Sequence, residues 1–232
     1  LSEYRDDLAF IHHAGFSEFA TSASVGVLAL LRERGIHEGL VVDVGCGSGV
    51  LARALTHAGY DILGIDASPS MIEIARTTAP NARFEVATFD RATLPSCAAI
   101  TAMGEVLNYG PLDAVRTFIR NAANALAPGG LLLFDVAERG SYPPHDERRI
   151  GGSNWSVIVI KDSDDKSLTR RVMTFRKIRG VMRRDEEIHT LELYDREELL
   201  AILRDAGFRV RVRRSYGTYR LPKGHAVYIA TR

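Results

Sequence analysis

In this chain of 232 residues, the side chains and spacings best suited to chemistry lie within residues 40–55, LVVDVGCGSGVLARAL. Leu40, Val41, Val42 and Val44 form an apolar run that reads as a buried strand, and only Asp43 interrupts it. Beyond the glycines, Val50, Leu51, Ala54 and Leu55 fall on one face of a helix. A buried acid is costly without a partner. Asp43 is therefore expected to meet a ligand or backbone amides rather than to pack in the core. Gly45, Gly47 and Gly49 alternate with Cys46 and Ser48. Glycines in that pattern allow tight backbone angles and let a ligand approach the main chain without meeting a Cβ. Cys46 reads as a small buried residue beside that ligand rather than as a nucleophile.

With Asp43, Gly45, Gly47 and Gly49 following a strand, the chain resembles the class I S-adenosylmethionine-dependent methyltransferases. Their first motif is an acid-x-Gly-x-Gly-x-Gly turn. Gly47 to Ala52 also threads onto the dinucleotide fingerprint G-x-G-x-x-A, which keeps an NAD-dependent oxidoreductase as the alternative, although that fingerprint calls for neither Asp43 nor Gly45. Asp66 ends the run DILGID, where a carboxylate can accept from ribose hydroxyls in either family. Ser68 and Pro69 suit the cap and first position of the next helix, with Ala67 and Met71 beside the adenosine. Asp90 stands four residues before Leu94-Pro95, as in the family motif whose acid accepts from the adenine amino group, and Phe89 takes a place where the family often has Gly. The run Leu-x-Pro-Gly-Gly before LLLFDV also resembles the methyltransferase pattern. The resemblance implies S-adenosyl-L-methionine as cofactor, S-adenosyl-L-homocysteine as product, and further contacts from Cys46, Met103 and Gly104.

These residues need a scaffold, and the hydrophobic periods supply one. From Leu40 to Val136 strands alternate with helices, which predicts a mostly parallel α/β sheet with helices on both faces. Phe208–Ser215 and Ala226–Ala230 read as a closing strand pair after the helix DREELLAILRDAGF, giving a Rossmann-like seven-stranded sheet. Two helices, LAFIHHAGFSEFA and SVGVLALLRERGI, precede it as an N-terminal lid. From Asn154 to Tyr194, period-2 alternation with turn signals at 162–167 and 179–180 predicts a three-stranded antiparallel meander. The expected division is one domain, with a lid over 1–39, a cofactor core over 40–136, an insertion over 137–194 and a closing segment over 195–232.

The insertion should wall the acceptor site, because cofactor occupies the glycine turn. Candidate acceptor-binding residues are Asn108, Tyr109, Trp155, Arg170 and Arg184, with His12 and His13 on the N-terminal segment. Glu105, His189 and His13 are the candidate bases, needed only where the acceptor atom must lose a proton. The expected activity is methyl transfer to a nitrogen or oxygen of a small molecule, with a non-catalytic cofactor-binding module as the reading from a different class. Net charge of +1 argues against a general nucleic-acid surface. Asn108-Tyr109-Gly110-Pro111 also lacks the paired prolines of nucleic-acid amino methyltransferases. Two cysteines and no His/Asp/Glu ligand spacing predict neither a disulfide framework nor a metal site. No apolar run spans a bilayer and no signal-peptide pattern is present, so a cytoplasmic monomer or homodimer is expected.

Overall fold

The structure, a computed structural model, describes residues 4–232. Helices α1 (Asp6–Phe16) and α2 (Glu18–Glu33) lead into β1 (Leu40–Val44), α3 (Val50–His57), β2 (Asp61–Asp66), α4 (Pro69–Thr78), β3 (Arg83–Val86) and β4 (Cys97–Ala102). After a 3-10 turn at Val106–Tyr109 come α5 (Leu112–Ala125) and β5 (Leu126–Ala137). Four further strands follow: β6 (His145–Gly151), β7 (Trp155–Ser163), β8 (Ser167–Ile178) and β9 (Val181–Glu192). The chain closes with α6 (Arg196–Asp205), β10 (Arg209–Arg213), the short strands β11 (Ser215–Tyr216) and β12 (Tyr219–Arg220), and β13 (His225–Thr231).

The main sheet has seven strands in the order β10-β13-β5-β4-β1-β2-β3. Strands β1 to β5 run parallel, whereas β13 pairs antiparallel with both β5 and β10. Strand alternation divides the core. Val42, Ile100, Leu132 and Phe134 pack with α5 and α6 residues such as Phe118 and Ile202, while Val41, Ala99, Leu131 and Leu133 pack with Val27, Leu31 and Leu55 of α2 and α3.

Three expectations need correction. The N-terminal helices break at Ser17, with a bend of 64°, rather than beyond Ala20. The break lets Phe16 meet Trp155 while Phe19 turns to Tyr216 and Tyr219. The three-stranded meander expected over 154–194 is present as β7, β8 and β9, but the inserted sheet gains a fourth strand, β6, on its edge. Strand β6, HDERRIG, is charged on both faces and almost wholly exposed, so it carries no period-2 signal. Finally, Pro128-Gly129-Gly130 lies inside β5, where a bulge sets Cys97 opposite Leu126 but Ala99 opposite Leu131. Among the described residues no single helix is long and apolar enough to cross a membrane.

Asn108, expected to bind the acceptor, instead staples the two sheets. Its fully buried amide donates to the carbonyls of Ala137 (2.9 Å) and Glu192 (2.5 Å), and its oxygen accepts from the Ala137 amide (3.0 Å). An Asn108→Ala variant strands buried backbone groups and should lose about 3 kcal/mol of stability, read as a lower urea midpoint.

Candidate active site

The glycine turn is held from below by the second strand. The amides of Gly45 and Cys46 both donate to the Ile65 carbonyl (2.7 and 3.0 Å). Asp66 accepts from the Gly47 amide at 2.8 Å and from the Ser68 amide at 2.9 Å. Ser68 in turn caps α4 by accepting from the Met71 amide. Gly45 has φ 67°, and a Cβ there would lie 2.2 Å from a Val106 methyl carbon, so this position admits no side chain. At Gly47, φ 52°, a Cβ would meet nothing within 4 Å. That open space belongs to a cavity at the carboxyl ends of the parallel strands.

Most of the expected cofactor residues come together there. Asp43, Gly45, Cys46, Gly47, Asp66 and Ala67 line the cavity, and so do Met71, Phe89, Met103 and Gly104. Gly49 does not: it starts α3 at φ 77° with its Cα side against Ala75, a helix-packing role. Asp90 is also off the wall, although Thr88 and Phe89 beside it are on it. The Asp90 Oδ1 and Thr88 Oγ1 atoms are buried without a hydrogen-bond partner among the described residues.

Two buried carboxylates flank β4. Burial pushes Asp43 up to about 7, against the opposing hydrogen bond from the Thr101 hydroxyl at 2.7 Å. Asp135 is pushed up to about 6 by burial, although Tyr216 donates to it at 2.6 Å and the Gly104 and Glu105 amides donate at 2.9 and 3.1 Å. Burial likewise raises the Cys46 thiol, which suits packing rather than nucleophilic chemistry.

The candidate bases fare differently. Glu105 takes the left-handed conformation, φ 63°, and its carboxylate accepts from Tyr142 (2.7 Å), His225 Nε2 (2.5 Å) and Arg170. Burial acts to raise this carboxyl, but Arg170 and His225 together hold it well below the usual range. So engaged, it has no basicity to offer at neutral pH. His189 is buried, paired with Glu187 at 3.1 Å and set edge-on to Tyr4 and Tyr109, behind the cavity wall rather than on it. His13 Nδ1 lies 2.9 Å from the Ser48 hydroxyl, off the wall, and braces the glycine turn. Its neighbour His12 lines the cavity instead, because successive helical residues point about 100° apart. Burial, followed by the His13 charge, lowers His12 to about 4.

Of the acceptor candidates, Tyr109 lines the cavity. Trp155 packs against Phe16 and over Gly15, fastening α1 to the inserted sheet. Arg184 is exposed and pairs with Glu186 at 3.3 Å, a solvated position. Arg170 turns inward but stops short of the cavity wall. Sequence reasoning missed Tyr4, Phe19, Thr88 and Val106, all of which line the cavity. Phe19 had a weak signal, an aromatic on the segment expected to form the lid, whereas nothing local marked the others.

Residues 41–130 match the family described as methyltransferase domain. Over that stretch the chain is similar to methyltransferase domains. Among curated relatives, the chain is 29% identical to the glycine N-methyltransferase of Mus musculus over 174 residues, covering 64% of this chain and 55% of that protein. It thus spans little more than half the length of that relative. It is 31% identical over 120 residues to the ubiquinone biosynthesis O-methyltransferase of Serratia proteamaculans, 48% of either chain. Solved structures share the fold at lower identity. An S-adenosylmethionine-dependent methyltransferase from Clostridium acetobutylicum superposes with a TM-score of 0.84 at 14% identity, over 96% of this chain and 97% of the other. The sugar N-methyltransferase KedS8 from Streptoalloteichus gives 0.80 at 19% identity, over 100% and 95%.

The raised carboxylates make ligand-free stability depend on pH in a defined sense. The folded protein keeps protons on Asp43 and Asp135 that the unfolded chain has released, so these groups lower the unfolding free energy as pH rises from about 4 to 7. Asp43→Asn should flatten that decline and gain most over wild type above pH 7, measured as urea midpoints across the range.

Proposed function

We propose that this protein is an enzyme that moves a methyl group from S-adenosylmethionine to a nitrogen or oxygen atom of a small molecule. The observation that carries the reading is the cavity at Gly47, where the missing Cβ leaves space at the carboxyl ends of β1 and β2 with Asp66 on its wall. When bound there, S-adenosylmethionine supplies an electrophilic methyl group whose transfer leaves S-adenosylhomocysteine.

The residues present fit that cofactor. Asp66 takes the ribose edge, with Ala67 and Met71 beside the adenosine. Asp90 does not itself line the cavity but adjoins Phe89, which does, and its unpartnered Oδ1 supports assigning it to the adenine amino group. Cys46, Met103, Gly104 and Phe89 complete the walls. The chain's main contribution is positioning: Tyr109, His12 and Tyr4 line the remaining wall and hold the acceptor in line while water is excluded. Orientation of this kind contributes about 7–11 kcal/mol in well-ordered cases. The division into lid, core, inserted sheet and closing segment serves the same reading, with the inserted sheet as roof of the acceptor side. The names of similar proteins, a glycine N-methyltransferase, a ubiquinone biosynthesis O-methyltransferase and a sugar N-methyltransferase, support a small-molecule acceptor and both N and O chemistry. We read the protein as cytoplasmic, a monomer or homodimer, with neither nucleic acid nor membrane as partner.

Calorimetric titration with S-adenosylmethionine, S-adenosylhomocysteine and NAD tests the cofactor, and labelled methyl transfer to an amine and phenol panel tests turnover. Micromolar binding of the two adenosyl-sulfur compounds is expected, weakened by about 1–3 kcal/mol in Asp66→Ala. Binding of NAD alone would overturn the proposal.

A further inference from the structure

The basic hairpin spends most of its arginines on visible partners. Arg176 and Arg183 pair with Asp7 of α1, and Arg171 and Arg184 pair with Glu186. Lys161 and Arg170 are different. They sit directly opposite one another on the antiparallel strands β7 and β8, and the same rank continues to Asp146 on β6 and His189 on β9. Like charges in that relation repel. Arg170 is also buried, with 17% of its side chain exposed.

An inventory of the facing groups shows what compensates them. Asp146 is 3.0 Å from Arg148, and His189 is paired with Glu187. Among the described residues Glu105 is the carboxylate that pairs with Arg170, and it is shared with His225. Tyr142 accepts from Arg170 at 2.9 Å and donates to Glu105. Arg170 Nε is buried without a hydrogen-bond partner among the described residues. The Lys161 ammonium lies 5.0 Å from the centre of the Tyr142 ring and enters no ion pair among the described residues. Burial and the Arg170 charge both push Lys161 down from its ordinary range. A half-buried ammonium without an ion pair, facing a buried guanidinium whose carboxylate is already shared with His225, is an arrangement that a further anion would complete.

The position of this cation pair connects it to the reaction. Tyr4 and Tyr109 line the cavity, and the Arg170 charge acts on both from behind. We propose that Lys161 and Arg170 bind an oxyanion, carboxylate or phosphate, carried by the methyl acceptor. The acceptor then presents its nitrogen or oxygen nucleophile at Tyr109 and its anionic group under the inserted sheet. The word acceptor rests on the methyl transfer proposed above, whereas anion binding itself does not.

The test is a thermal-unfolding titration at constant ionic strength, with saturating S-adenosylhomocysteine, using benzoate, phenyl phosphate and the neutral isostere benzamide. Wild type should be stabilised by one or both anions and not by benzamide, and the stronger anion identifies the group. Lys161→Gln should weaken anion binding at least tenfold, and Lys161→Arg should restore it. Lys161 makes no ion pair among the described residues, so these variants keep the fold, checked by an unchanged S-adenosylhomocysteine affinity. Equal effects of benzoate and benzamide, or an unchanged anion response in Lys161→Gln, would overturn this inference and leave the methyltransferase reading standing. Anion binding lost in Lys161→Gln, with no S-adenosylhomocysteine binding in wild type, would uphold the cation pair and remove the methyltransferase reading.

Discussion

The Glu105 carboxylate is the joint on which the acceptor side of this protein depends. Its donors come from three separate parts of the chain: Arg170 on β8, Tyr142 in the segment after β5, and His225 on β13. A left-handed backbone at a residue with a long side chain costs roughly 1–2 kcal/mol, and the surrounding bonds hold it there. Loss of that charge would leave Arg170 and His225 facing each other without compensation. Through this one group the inserted sheet, the main sheet and the turn after β4 share a single geometry.

A second set of constraints works one strand away. The Asp135 carboxylate gathers the Gly104 and Glu105 amides and the Tyr216 hydroxyl, so the backbone on which Glu105 sits is fixed from the core side. Asp43 lies on β1, on the other side of β4, and accepts from the Thr101 hydroxyl of β4. Asp66 ties the glycine turn to the start of α4. Asp135 and Asp66 therefore anchor backbone amides and Asp43 ties β1 to a β4 hydroxyl, so none of the three is a bare charge and the cavity wall inherits their order.

The inserted sheet has two faces with different tasks. Its inner face braces α1 through Val157 and Val172 against Leu8 and Ile11, and it carries the Lys161–Arg170–His189 rank toward the tyrosines. Its outer face holds exposed ion pairs such as Arg184–Glu186, each worth little in water. Strand alternation alone sorts the arginines between these tasks.

The parallel strands, the helices between them and the glycine turn were legible in residue order, because these depend on short-range periods and on βαβ units closed within a few tens of residues. The Asp66 carboxylate meets the turn only 19 residues away, so its place was legible from spacing. Strand β6 was not legible, since a strand charged on both faces has no period, and the helix break at Ser17 depended on where Trp155 and Tyr216 lay. The choice of His12 over His13 for the cavity wall, the conversion of Asn108 from ligand contact to staple, and the removal of Glu105 from the list of bases were decided by tertiary structure. Their partners lie 29 to 120 residues away in the chain, as for Asn108 with Ala137 and Glu105 with His225. Residue type sets what a side chain can do, and for these residues only the packing of distant strands decides what is left free to do it.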